Sequence, residues 1–169
     1  MAIQAPFTFH YVTDNDWSES HNYDYWNINF TSATNVNNTD VIKTIYDPSV
    51  SGFTLPKTAA FTGFTQNGAD TEYYSQFNVN GSFDIGWHFY TNGWKTGNTM
   101  FFQAFGLRDI GSGRSANGFL SFVGTAGYCW MSGAYAESFA SGLCLNSGLV
   151  YMHYWNHRSY GFSVRPVAE

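Results

Sequence analysis

The sequence predicts a single loop-rich α+β domain over residues 1–169, with short helices packed on twisted antiparallel strands. Three observations lead there. Charged residues are only 11% of the chain while aromatics reach 20%, the reverse of a disordered composition, and the length supports one substantial core. The C-terminal third contains short apolar runs boxed by Gly and Ser, the pattern of antiparallel strands joined by exposed turns. Residues Lys57–Phe61 have the best helical composition of the chain, with Gly63 as a plausible stop.

Taken in order, Phe7–Val12 alternates and reads as an opening strand. Asp14, Asp16, Asp24 and Asp40 follow, but their spacing does not match a calcium loop, so they read as solvated turn residues. Val41–Tyr46 is β-branched and predicts a strand, ended by the turn initiator Asp47-Pro48. Gln76–Phe83 alternates around a turn at Asn80-Gly81, and Trp87–Tyr90 ends at the turn Thr91-Asn92-Gly93. Thr99–Gly106, the most apolar run, reads as a buried strand. Gly127–Gly133 and Ser141–Gly148 predict two more short strands. In the last strand, Tyr160–Val167, Phe162, Val164 and Pro166 share one face. Pro166 cannot donate to a ladder, which places it where pairing fades or at a sheet edge.

Composition also narrows function. The formal charge is −5 and no Lys follows Lys95, so nucleic acid is not an expected partner. No apolar run approaches the ~20 residues that span a bilayer, and direct membrane insertion is not expected. The N-terminus lacks the basic and apolar regions of a secretory signal, and Met1 fits the start of an excised fragment. His153 and His157 would align on a helix, but Tyr151–Tyr160 reads as strand and loop, so neither metal nor cofactor is expected. After Asp109 only Glu137 and Glu169 are acidic, which leaves no carboxylate pair for glycosidase chemistry in that region. If Trp130, Leu143 and Leu145 face inward, period 2 turns Cys129 and Cys144 outward as surface thiols. Whether those thiols bridge depends on strand register.

Recognition is the better-supported chemistry. Tyr128, Tyr135, Phe139, Tyr151, Tyr154, Trp155 and Tyr160 are interleaved with Ser, Gly, Asn and His, the composition of antibody paratopes. The expected ligand-binding set is Tyr128, Ser132, Tyr135, Ser138, Phe139, Asn146, His153, Tyr154, Trp155, Asn156 and His157. Ser132, Tyr135, Ser138, Phe139, Asn146, His153, Tyr154, Asn156 and His157 are expected on one solvent-facing surface anchored by Tyr135 and Tyr154. Trp130 and Phe162 are expected in the core. Arg165 is expected to be structural, its guanidinium held by carboxylate or carbonyl partners.

The same residues carry a resemblance. Gly127-Tyr128-Cys129-Trp130-Met131-Ser132-Gly133, Leu143-Cys144-Leu145 and the ending Arg158–Val167 resemble the end of the Fibrobacter major paralogous domain. They equally resemble the retroelement-diversified variable proteins of gut Bacteroidales. Lys43–Pro48, Gly52–Pro56, Ala60–Thr65 and Thr96–Thr99 continue the resemblance in order, from about Trp17 to the C-terminus. It implies a C-type-lectin fold with a variable-type region at about 108–167, within a longer exported protein. It also implies a non-catalytic adhesin-type domain on a cell surface or pilus, or a receptor-binding protein of a phage virion. The implied partners are a protein or glycan ligand on a host or neighbouring cell, and other pilus or virion subunits. Ser49 departs from the cysteine that many members carry after the Asp-Pro turn. In diversified relatives, randomised adenines of Asn codons yield Tyr, Phe, His, Ser and Asn but never Lys, Gln or Glu. Ser115–Tyr160 contains no Lys, no Gln and one Glu. Met131, Glu137, Met152 and Trp155 cannot arise from such codons. Two rival classes share parts of this pattern. One is an oxidase of the formylglycine-generating type using Cys129 and Cys144; the other is a pilin-like structural subunit.

Overall fold

The computed structural model describes residues 16–33, 38–61, 63–64, 81–90, 97–109 and 118–169. The predicted opening strand, most of the Gln76–Phe83 run and the Thr91-Asn92-Gly93 turn lie outside them. The strands, in chain order, are β1 (Phe53–Thr54), β2 (Gly81–Phe83), β3 (Gly86–Tyr90), β4 (Thr99–Gln103) and β5 (Leu107–Arg108). They continue as β6 (Leu120–Ser121), β7 (Ala126–Ala136), β8 (Phe139–Asn146), β9 (Leu149–His157) and β10 (Val167–Ala168). Four antiparallel sheets result, ordered β1-β10, β2-β3-β4, β5-β6 and β7-β8-β9.

The α+β expectation is therefore corrected: the architecture is β-rich, with no helix among the described residues. The segment that promised one, Lys57–Phe61, forms turns closed by Ala60 N to Lys57 O (3.0 Å) and, just beyond it, Phe64 N to Phe61 O (2.9 Å). Tertiary contacts override its propensity. Pro56 O accepts a hydrogen bond from Ser132 N in β7 at 2.9 Å, and Thr58 is fully buried against that strand.

Other local expectations shift for similar reasons. Val41–Tyr46 makes a single bridge, Lys43 with Asn27, and Ile45 is 92% exposed. The side chain of Asn27 takes the place of a partner strand there, its Oδ1 accepting from the backbone N–H of Ile42 and Asn29. Asp47 does organise the next turn: its carboxylate accepts from Ser49 N, Thr54 Oγ1 and Leu55 N. Gly81 starts β2, and the hairpin turns later, at Asp84-Ile85 between the pair Phe83 and Trp87. Thr99–Gly106 is not a buried strand. β4 lies at the edge of its sheet, and only Phe102 of its residues is buried.

The centre of the molecule is the β7-β8-β9 sheet, covered on both faces. On one face Cys129, Met131, Leu143, Leu145, Val150 and Met152 meet Phe61, Phe64, Trp87, Phe89 and Phe102. Those rings pack mostly edge to face, Phe64 on Phe89 at 4.6 Å and Phe61 on Phe102 at 5.7 Å. On the other face Tyr128, Trp130, Ala140 and Cys144 meet Leu55, Leu107 and Phe162, with Trp26, Tyr154 and Val164 at the margin. Trp130 stacks on Phe162 at 4.0 Å and meets Trp26 at 5.6 Å. A sheet buried on both faces reads as an unbroken run of apolar and small residues, as β7 does.

Its glycines belong to this arrangement. Gly127, Gly133 and Gly142 sit inside the strands, where other chain segments come close, while Gly148 lies in the β8-β9 turn. A Cβ at Gly133 would lie 2.2 Å from Thr58 Cγ2 and 2.8 Å from Phe30 Cζ; one at Gly142 would lie 2.9 Å from Cys129 O. The C-terminal segment runs beside β7, with Trp130 N donating to Ser163 O and Ser163 N to Tyr128 O, both at 3.0 Å. It then reaches β10, which pairs with β1. Arg165 lies along this path. Its Nη1 donates to Phe101 O at 2.8 Å, and the guanidinium lies 4.2 Å from the Phe102 ring centre.

Two substitutions test this packing by chemical denaturation. Gly133→Ala should cost about 1–3 kcal/mol by overpacking. Trp130→Ala should cost about 3–5 kcal/mol by leaving a cavity between Phe162 and Trp26. An unchanged midpoint for either would contradict the two-faced core.

Candidate recognition surface

The β7-β8 hairpin ends in the turn Glu137-Ser138, between the paired residues Ala136 and Phe139. Phe139 pairs with His157 and Ser141 with Trp155 across to β9. These four share a sheet face, because alternate residues and direct cross-strand partners point the same way. Ser141 is small and fully buried, and beside it Tyr135 stacks on Trp155 with ring centres 5.0 Å apart and planes 7° from parallel. Phe139 meets Trp155 edge-on at 5.0 Å and packs on His157 at 4.2 Å. His157 in turn stacks on Tyr160 at 6.3 Å. The result is an aromatic platform at the hairpin end, with Trp155 41% exposed and Tyr135, Phe139 and His157 half-buried.

The structure divides the expected ligand-binding set. Tyr135, Phe139, Trp155 and His157 come together, Ser138 lies in the adjoining turn, and His153 is buried next to Tyr135, ring to ring 6.2 Å. Tyr154 and Asn156 lie on the opposite face, Tyr154 packing on Tyr128 and Phe162. Tyr128 and Ser132 are buried. Asn146 sits at the far end of β8, where its Oδ1 accepts from Gly148 N and its carbonyl accepts from Trp87 Nε1. The single shared surface is thus not formed. Adjacent residues of β9 face opposite ways, so Tyr154 and Asn156 could not share a face with His157 in any register. A bulge decides which face each takes, because Gly142 pairs with Tyr154 but Cys144 with Tyr151, and Met152 and His153 both lie opposite Leu143. The extra residue sends Tyr154 to the Trp130 face and leaves Trp155 and His157 on the platform face.

The hairpin end is tied down by Arg158, a residue that sequence reasoning missed. It is buried, and it donates to Asn22 O (2.5 Å), Ala136 O (3.3 Å) and Glu137 O (2.5 Å). Its Nη1 lies 3.4 Å from Asp16 Oδ2, which also meets His21 Nδ1 at 3.0 Å. Burial pulls the guanidinium below its ordinary range, and Asp16 opposes that shift. One cation therefore joins the N-terminal segment to the end of β7 and the hairpin turn. The available signal was compositional: Arg158 is the one Lys or Arg between Ser115 and Tyr160. Beside the hairpin tip, His21, Tyr23, Asp24 and Glu137 line an open hollow of about 550 Å³.

A groove of about 830 Å³ elsewhere runs between residues 40–45 and β10. Its cations are occupied within the chain. Lys43 Nζ donates to the carbonyls of Ser49, Val50 and Phe53, and Lys57 pairs with Asp40 at 2.6 Å, which lowers that carboxyl's pKa. Among the described residues no group of three or more His, Cys, Asp or Glu is placed to hold a metal ion. No helix among them is long and apolar enough to cross a membrane.

The thiols are not at the surface, which corrects the outward assignment. Cys129 pairs with Leu143, and Cys144 with Tyr128. Trp130 and Leu143 therefore face opposite sides of the sheet, and each cysteine is buried in a different core cluster. A bridge between them is excluded by the sheet itself. Burial pushes both thiols up to about 11, and the Cys144 side chain bonds the Tyr128 hydroxyl, which burial also raises.

Comparison with family models, with characterised proteins and with solved structures returns no match to this chain.

The thiol environment sets an alkaline limit on stability. An unfolded thiol ionises near its ordinary value of 9.0, while the folded thiols hold their protons until about 11. Their contribution to stability is therefore complete below pH ~9 and is lost as pH rises towards ~11. Denaturation midpoints should fall across that window, and Cys129→Ser should shallow the fall. A flat profile in both proteins would contradict the buried assignment.

Proposed function

We propose that this chain is a non-catalytic recognition domain of adhesin type, which binds a protein or glycan ligand through the platform of Tyr135, Phe139, Trp155 and His157. The observation that carries this reading is the near-parallel Tyr135–Trp155 stack, left accessible at the end of a sheet otherwise buried on both faces. Flat, pre-stacked rings present a large amphipathic contact with few rotatable bonds, and ordering them on binding costs little. They suit the apolar face of a sugar ring, or aromatic and Arg side chains of a protein.

The motif resemblance supports display outside the cell, on a cell surface or pilus, or alternatively on a virion. It also supports diversification. Tyr135, Phe139 and His157 are residues that randomised Asn codons supply, whereas Trp155 is not. The platform then consists of three variable positions around one fixed indole. Diversification would leave a neighbouring reverse transcriptase and a near-copy of the Ser115–Val167 codons that differs only at adenines. A second reading, a structural subunit of a surface fibre, gains from Tyr154, Asn156 and Tyr151 lying on the face opposite the platform.

Glycan-array and whole-cell binding of the labelled chain separates the two. Tyr135→Ala and Trp155→Ala should each weaken binding by roughly tenfold or more, as central aromatic anchors do, with the melting curve nearly unchanged. Tyr154→Ala should instead lower stability and spare binding. Loss of binding from Tyr154→Ala alone, or full binding by both platform variants, would overturn the assignment.

A further inference from the structure

At the other end of β7 the chain exposes an apolar cap. Ile85, Phe105, Phe119, Leu120, Phe122 and Val123 are each more than half exposed, at 61%, 53%, 61%, 59%, 57% and 59%. The segments that carry them adjoin. Ala104 N donates to Ile85 O, Gly124 N donates to Ala104 O, and Phe105 and Leu120 line one hollow beside Phe162. Two of the six are held in backbone conformations that such residues rarely adopt: Ile85 at φ 53° and Phe122 at φ 62°. Glycine or Asn would occupy either position without that strain. Backbone bonds hold both in place, Ile85 O accepting from Ala104 N and Phe122 O from Thr125 N and Ala126 N, while their side chains stay more than half exposed. The fold thus fixes two strained residues with their apolar side chains at the surface.

We infer that this cap is the contact surface of a symmetric dimer, its partner being a second copy of the same chain. The six side chains together expose on the order of 600 Å² of apolar surface, close to the ~800 Å² per partner of a standard interface. In a two-fold contact each patch meets its own copy, so any charge on it would face a like charge. None of the six is charged. The adjoining Arg108 directs its Nη1 to Gly118 O at 2.7 Å. A cap built for a bilayer would be ringed by outward Lys and Arg, and the described residues bordering this one show no such ring. The position also fits. The cap joins β7 at Ala126, whose N–H donates to Phe122 O, while the platform begins at Tyr135, roughly 30 Å along the strand. A dimer closed through the cap leaves both platforms free at its outer ends, a bivalent arrangement that raises avidity without new ligand contacts.

Sedimentation equilibrium of the intact chain tests this. The parent should approach twice its 19.0 kDa mass at concentrations up to about 100 µM. Phe122→Asn should return it to 19.0 kDa with a melting temperature equal to or above the parent's, because Asn suits the positive φ that Phe does not. The double variant Phe119→Lys/Leu120→Lys should do the same through charge, whereas Tyr135→Ala should leave the dimer intact. A parent that remains at 19.0 kDa, or a Phe122→Asn variant that remains dimeric, would overturn the inference. So would dissociation by Tyr135→Ala, which would move the contact to the platform. A monomeric parent that sediments with phosphatidylcholine vesicles would identify lipid as the occupant instead.

Discussion

The structure depends on one constraint: the β7-β8-β9 sheet has no solvent face over most of its length. Every segment that covers it must come close. The backbone yields where this happens, with glycine at 133 under Thr58 and Phe30 and at 142 under Phe162. The two cores are different in character. One is a set of edge-to-face phenylalanines with Trp87, the other a stack built on Trp130 and Phe162. Neither is continuous with the other, because the sheet lies between them. That separation explains why the two cysteines, neighbours in strand register, share no environment.

A sheet clamped in this way has variable chemistry only at its ends. At the hairpin end, Arg158 fixes the turn to the N-terminal segment through carbonyl oxygens, which do not depend on side-chain identity. The platform residues can therefore differ in chemistry while their backbone positions stay set. At the opposite end, short strands and left-handed turns expose apolar side chains that the chain does not cover. The two ends serve different purposes on this account, one for recognition and one for association.

Much of this was legible in the residues, and the misses have physical causes. The apolar runs around Trp130 and Leu143 marked strands that form, β7 and β8, whereas the strand expected over Tyr160–Val167 is reduced to isolated bridges at Gly161 and Ser163 before β10. The glycines flanking Trp130 were read as strand ends, yet Gly127 and Gly133 lie inside β7; a crossing segment and a turn both select Gly, and sequence does not separate them. Tyr154 and Asn156 were grouped with His157 because Tyr151–Tyr160 reads as strand and loop. β9 instead runs to His157 and turns alternate residues to opposite faces, the bulge at Met152-His153 putting Tyr154 on the face away from Tyr135. Placing Trp130 and Leu143 on one side made the same kind of error, because both faces are apolar and alternation carries no sign. Lys57–Phe61 has helical composition, but the bond from Ser132 to Pro56 and the burial of Thr58 determine its path. Arg158 could not be placed without knowing that residues distant in sequence surround it.

The central claim is that the platform rests on a core that does not need it. The direct measurement is protease resistance of a displayed library in which Tyr135, Phe139, Trp155 and His157 are randomised together. Stacked aromatic pairs contribute only about 0.5–1.5 kcal/mol beyond burial, so most members should resist cleavage as the parent does. Survivors restricted to aromatic residues at all four positions would show that the platform is core, and would contradict the account.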